Sequence, residues 1–244
     1  MTSVTASAIL TRVAQRERDG LKITLLHTLC ATSLFGQLVL RGGSALHGVY
    51  LHGRYSEDLD FFASPGLAMN VCTKFGEVGL TLETRQDAAP IYVGRGAVHE
   101  RVELGIDVIG IHYPEDGFLA PQPAVYRAIS GETAPVRTYP LPALLARKLR
   151  YVMRRRFAVD FYDLWIGLEK HPECVPEMQE IVRRRELGGG GGEHYHAESA
   201  LAGLDALEAS WHEELAALMP RVPEFGQVRR DLTHWLPLFE NTER

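Results

Sequence analysis

Between Gln37 and Phe62 the chain reads QLVLRGGSALHGVYLHGRYSEDLDFF. This stretch constrains the fold more than any other. QLVLR, residues 37–41, is a short apolar strand. Gly42 and Gly43 break it, and Ser44, a residue type that caps helices well, opens a short helix through about Tyr50. LHGRYSE is a loop, and DLDFF is a second strand. A strand, a glycine turn, a helix and a second strand in immediate succession imply a mixed α/β core.

Both ends of the stretch carry chemistry. Two glycines after a strand let the backbone approach a ligand closely. The helix start that follows exposes unpaired N–H groups and the positive end of a dipole, a cradle for phosphate. Neither the GxxxxGK[ST] pattern nor the dinucleotide glycine spacing is present, and Leu46 stands where a GxSxG elbow needs glycine. A plain strand-to-helix turn is the competing reading. In DLDFF, residues two apart share a face, so Asp58 and Asp60 converge while Leu59 and Phe61 turn to the core. Adjacent carboxylates repel unless a cation lies between them, and oxygen-only ligands suit Mg²⁺ or Mn²⁺. The alternative is an exposed acidic strand end. Asp107 interrupts the apolar strand VELGIDVIGI, residues 102–111. If that strand neighbours DLDFF, its carboxylate joins the same cluster, as a metal ligand and proton acceptor; if it is an edge strand, Asp107 faces water. Arg54, just ahead of the second strand, is in position to reach a phosphate.

Along the chain, apolar spacing over residues 6–35 indicates two helices interrupted near Asp19 and Gly20. Residues 67–79 look helical, with strands near 81–85 and 91–94. Prolines at 114, 121, 123, 135, 140 and 142 mark a loop-rich crossing, and a domain boundary is expected near 138. Helices follow over LPALLARKLRYVMRRR, DFYDLWIGL, 176–187, 197–219 and 224–235. Five consecutive glycines, Gly188 to Gly192, read as a flexible linker or disordered loop. The expected organisation is a core over 1–138 with N-terminal helices, and a helical domain over 139–244.

With 45% apolar and 23% charged residues, the chain has the composition of a soluble globular protein. It contains no run of eighteen apolar residues, so no membrane span is expected. The N-terminus lacks a signal-peptide pattern, and Cys30, Cys72 and Cys174 are odd in number and far apart, which fits a reducing cytoplasm. Net charge is −5, yet six basic residues lie between Arg147 and Arg156, and Arg183 to Arg185 form a second run. His194 and His196 lack further ligands at zinc spacing. Trp165, Trp211 and Trp235 read as core.

A glycine turn, paired aspartates and a later strand aspartate, in that order, resemble the nucleotidyltransferase fold whose prototype is DNA polymerase β. The resemblance sharpens in RGGSALHGVYLHGRYSEDLDFF, which looks like the GG[ST]AL…R[FY]SEDLDF signature of the AbiEii-like toxins, the nucleotidyltransferases of abortive-infection and MenT-type toxin–antitoxin systems. LARKLRYVMRRRFAVDFYDLW resembles the family's K…R…RD[LF]YDL segment, with Val159 where many relatives carry arginine. It covers 37–62 and 141–168, and 102–111 more loosely.

The resemblance implies an α+β nucleotidyltransferase with a helical C-terminal domain that contributes Lys148 and Asp160. Gly42, Gly43 and Ser44 would hold the phosphates of an NTP, Asp58 and Asp60 would bind Mg²⁺, and Lys148 would reach the triphosphate. Asp160 and Asp163, three apart on a helix, would share a face, with Asp160 completing the site or orienting Lys148. The reaction implied is transfer of a nucleoside monophosphate to tRNA near its 3′ end, blocking translation, with a cognate antitoxin encoded nearby. Two alternatives stay open on the sequence: a protein side chain or small molecule as acceptor, and a catalytically idle nucleotide-binding module.

Overall fold

A computed structural model describes residues 6–84, 90–94, 101–111, 120–184 and 195–240. The glycine run and His194 lie outside the described residues. The chain divides into two compact units that meet in sequence at Tyr139 and Pro140.

The first unit is built on a mixed seven-stranded sheet in the order β3-β4-β5-β2-β1-β7-β6. The strands are β1 (Val39–Arg41), β2 (Leu59–Ala63), β3 (Leu82–Glu83), β4 (Ile91–Gly94), β5 (Val102–Gly110), β6 (Gln122–Arg127) and β7 (Thr133–Thr138). β2 runs antiparallel to β1 and parallel to β5, so it is held on both sides. Leu59 and Phe61 are buried beneath it, each burial contributing about 1.5–3 kcal/mol.

The helices of this unit are α1 (Ala6–Cys30), α2 (Gly42–Ala45), α3 (Pro65–Met69) and α4 (Val71–Glu77). α1 is one helix, against the expected break at Asp19-Gly20. The turn-forming pair is absorbed because Asp19 is buried and used as an anchor. Its carboxylate accepts hydrogen bonds from the Tyr126 hydroxyl at 3.2 Å and the Ile129 N–H at 2.5 Å. A mid-helix glycine costs about 1 kcal/mol, which buried Leu25, Leu26 and Leu29 on the same helix offset. α1 lies against β5 and β7.

The loop expected across the prolines contains the β6–β7 hairpin instead. Pro123 sits in β6, an edge strand, where a missing N–H is tolerated. Pro135 lies where β7 has left its single pairing with β1, Leu40 opposite Thr138.

The second unit is helical: α5 (Leu141–Arg154), α6 (Ala158–Lys170), α7 (Val175–Arg183), α8 (Ala197–Asp205), α9 (Trp211–Ala216) and α10 (Phe225–Trp235). α5 starts with Pro142 in its first turn, where a proline costs no hydrogen bond. It buries Leu144, Leu145, Leu149 and Val152 along one stripe. The single helix expected over 197–219 is divided by a turn between α8 and α9. Trp165 and Trp211 are buried and Trp235 half-buried. Among the described residues no helix is long and apolar enough to cross a membrane, and all three cysteines are free thiols.

Candidate active site

In the first unit the glycine turn and the carboxylates share one face of the sheet. β1 ends at Arg41, and α2 begins at once with Gly42 at φ 67°. This left-handed backbone suits glycine, and a Cβ there would also overlap the Asp60 carboxylate. Gly43 is bare for a second reason: a Cβ would press on the Arg54 guanidinium and the Ser56 hydroxyl. α2 continues into a wider turn of π-helix over Leu46–Leu51.

Ser44 does not cap this helix. It lies inside the first turn, buried, and its hydroxyl donates to the Asp58 carbonyl. Arg41 occupies the capping position without a side-chain cap bond. The serine therefore ties the glycine turn to the start of β2, so the two halves of the motif are fastened to each other.

Asp60 stands opposite Arg41 on β1 and opposite Asp107 on β5. Directly paired residues in a sheet project to the same side, so Arg41, Asp60 and Asp107 form a row across three neighbouring strands. β5 is paired along β2 here, so Asp107 does neighbour DLDFF, with its side chain partly exposed. Asp58, just before β2 and exposed, lies against Gly105, where a Cβ would overlap its carboxylate. Among the described residues no group of three or more His, Cys, Asp and Glu side chains is placed to hold a metal ion. A pair of carboxylates remains, with hard oxygen donors and glycine-cleared space on two sides. That set fits Mg²⁺, which is ordinarily bound by one or two carboxylates together with substrate phosphates.

Two cations in this unit escaped the sequence reading. Arg41, 8% exposed, donates to the Asp107 carboxylate and lies 3.8 Å from Asp60 Oδ1. Its register position beside the glycines was the available signal. Lys22 on α1 is fully buried, donates to the Ser56 carbonyl, and sits 4.6 Å from the centre of the Tyr55 ring. Burial, opposed by nearby Asp19 and Asp58, lowers its pKa to about 8. It interrupts the apolar stripe of α1, three and four residues ahead of Leu25 and Leu26, and a charge on such a stripe is a readable anomaly. Arg54 is half-buried and donates to the Tyr55 carbonyl at 2.7 Å.

The second unit carries its own cluster. Lys148 on α5 is buried, and its ammonium lies 2.6 Å from Asp160 Oδ1 and 2.7 Å from Asp163 Oδ2 on α6. Both aspartates are buried, and Asp160 Oδ2 is 3.3 Å from the Arg155 guanidinium. Arg155 in turn packs on Tyr151, 4.0 Å from the ring centre. Asp160 and Asp163 do share a helix face, and both turn it to the lysine.

A glycine-turn helix on a mixed sheet, with aspartates on β2 and β5, defines a nucleotidyltransferase fold. Solved structures agree. MenT4, a nucleotidyltransferase toxin from Mycobacterium tuberculosis H37Rv, superposes with a TM-score of 0.62 at 21% identity, covering 97% of this chain and 90% of that one. JHP933 from Helicobacter pylori gives 0.51 at 17% identity, covering 97% and 93%. An antigenic nucleotidyltransferase-like protein from Paracoccidioides brasiliensis gives 0.50 at 17% identity, covering 83% and 94%. No curated protein matches the sequence. The model of the nucleotidyl transferase AbiEii toxin family, type IV toxin–antitoxin system, matches residues 24–236, and the chain belongs to that family. It is a nucleotidyltransferase toxin.

Proposed function

We propose that the toxin transfers a nucleoside monophosphate from an NTP to the 3′ end of a tRNA, with Mg²⁺ or Mn²⁺ bound at Asp58 and Asp60, and so stops translation. The observation that carries this reading is the placement of both carboxylates against glycine-cleared space, beside a turn whose N–H groups begin a helix.

The glycine turn at Gly42 and Gly43 receives the phosphates through backbone N–H groups. Ser44 keeps that turn in place relative to Asp58. Arg54 supplies positive charge over Gly43. Lys148, held within the second unit by Asp160 and Asp163, is the residue proposed to bind the triphosphate. A bound divalent ion supplies neutralisation of phosphate charge. The acceptor hydroxyl attacks the α-phosphorus, the bond to the bridging oxygen breaks, and pyrophosphate leaves. The hydroxyl proton passes to a carboxylate on this face of the sheet. Exposed Arg154, Arg155 and Arg156 at the end of α5 suit an RNA backbone, and a cognate antitoxin is the expected protein partner.

Incubation with each α-labelled NTP, total RNA and lysate protein tests this. Label is expected in an RNA of tRNA size and absent with EDTA. Label confined to a protein band overturns the RNA acceptor, and transfer undiminished by EDTA overturns the metal.

A further inference from the structure

Residues 54–58 lie ahead of the β2 ladder, which starts at Leu59 opposite Ile106. Side chains hold this segment instead. The Tyr55 carbonyl accepts from Arg54, the Ser56 carbonyl from Lys22, and the Asp58 carbonyl from Ser44. Arg54 and Ser44 belong to the same motif as the segment they hold. Lys22 comes from α1, 34 residues away. Its side chain is completely buried, and its ammonium lies over the Tyr55 ring. One turn earlier on α1, Asp19 accepts from the Tyr126 hydroxyl and the Ile129 N–H. α1 is therefore a brace between the β6–β7 hairpin and the segment that carries Ser56 and Asp58.

A lysine is a poor brace for stability alone. Burial disfavours the charged amine, Asp19 and Asp58 offset this only in part, and Arg54 and Arg18 add to the cost. A methionine of similar length would fill the same space beside Leu25, Leu26 and Leu29. It could not donate to the Ser56 carbonyl. That bond acts on the site, because the segment it holds sets the Ser56 hydroxyl and the Arg54 guanidinium against Gly43 and the Asp58 carboxylate against Gly105. We propose that Lys22 is a positioning residue for nucleotide transfer: through the Ser56 carbonyl it fixes the segment that presents Asp58 to the divalent ion and Arg54 to the glycine turn. This rests on the metal-dependent reading above. Lys22 acts through the backbone and not on the nucleotide. Positioning and plain charge predict opposite signs. A cation near Asp58 that acted by charge alone would repel the ion, so its removal would tighten binding.

The test compares wild type, Lys22→Met and Asp58→Asn as full chains. Mn²⁺ is titrated without nucleotide and followed by the free-ion signal in electron paramagnetic resonance. Thermal unfolding and amide hydrogen exchange are measured on the same samples. Near neutral pH, Lys22→Met is expected to unfold at the wild-type temperature or above it. Its exchange is expected to quicken over residues 53–58 and to stay unchanged in β6 and β7. Its Mn²⁺ affinity is expected to fall by about 10–100-fold, the range for groups that orient metal ligands. Unchanged or tighter Mn²⁺ binding overturns the proposal. A lower unfolding temperature, or failure to fold, also overturns it, since Lys22 is then a structural residue. Undiminished Mn²⁺ binding in Asp58→Asn instead overturns the metal reading. The exchange data stand apart from that reading: unaltered exchange over 53–58 in Lys22→Met shows that the lysine does not hold the segment.

Discussion

Lys148 is a residue whose substitution has two effects that must be separated. Its ammonium is enclosed by two buried carboxylates. Removing one partner of a buried ion pair costs about 3–5 kcal/mol because the remaining charge is stranded. Lys148→Met is therefore expected to lower the unfolding free energy measured in urea by that amount, and loss of toxicity in this variant alone does not report on phosphate binding. Adding Asp163→Asn is expected to recover part of the stability while transfer stays absent. Recovery of transfer along with stability contradicts a phosphate role for Lys148. Gly42 gives a different signature. Gly42→Ala forces a left-handed backbone on a side chain, at about 1–2 kcal/mol, and drives the Asp60 carboxylate from its place. Transfer is expected to fall far more than stability, measured as initial rate beside thermal unfolding.

At the scale of elements, α1 is fastened to the site through one buried charge. The Lys22 pKa falls from 10.5 to about 8 on folding. Between those values the unfolded chain binds more protons, so stability rises with pH across that window. Below about pH 8 the charged lysine carries its full burial cost, roughly 3 kcal/mol for a shift of this size. Denaturation of Lys22→Met at pH 8 and pH 10 checks this: the gain seen in wild type is expected to disappear. An equal gain in the variant contradicts the assignment.

The same helix shows what was legible in the sequence. The alternation of DLDFF placed Leu59 and Phe61 in the core, and the order of turn, paired aspartates and strand aspartate pointed to the fold. Asp19-Gly20 misled because turn propensity is local, whereas the bonds from Tyr126 and Ile129 come from more than a hundred residues away. The β6–β7 hairpin was hidden by its prolines, which only the edge position of β6 makes tolerable. Ser44 was read as a helix cap and a phosphate donor; it lies inside the first turn instead, and its bond to the Asp58 carbonyl required the fold. Arg41 and Lys22 could be suspected from register and stripe, but their partners could not.

For the whole molecule, charge distribution matters more than the total. The chain carries a net −5, which opposes nonspecific attachment to nucleic acid, while Arg154, Arg155 and Arg156 stand exposed together. Arg155 is committed to Asp160, so the surface role is best probed at its neighbours. Arg154→Ala with Arg156→Ala is expected to raise the KM for RNA several-fold and to flatten the salt dependence by roughly 0.7 in log–log slope per lost phosphate contact, with kcat unchanged. Unaltered RNA KM at every salt concentration contradicts RNA docking there.

The central claim is that nucleotide transfer runs on the carboxylates at 58 and 60. Transfer of α-labelled NTP to purified tRNA, comparing wild type with an Asp60→Asn variant shown to be folded, tests it most directly. The account predicts labelled tRNA with the wild type and a rate lower by about a thousandfold or more with the variant, the scale of a lost electrostatic contribution to the transition state. Labelling by Asp60→Asn at the wild-type rate would contradict it.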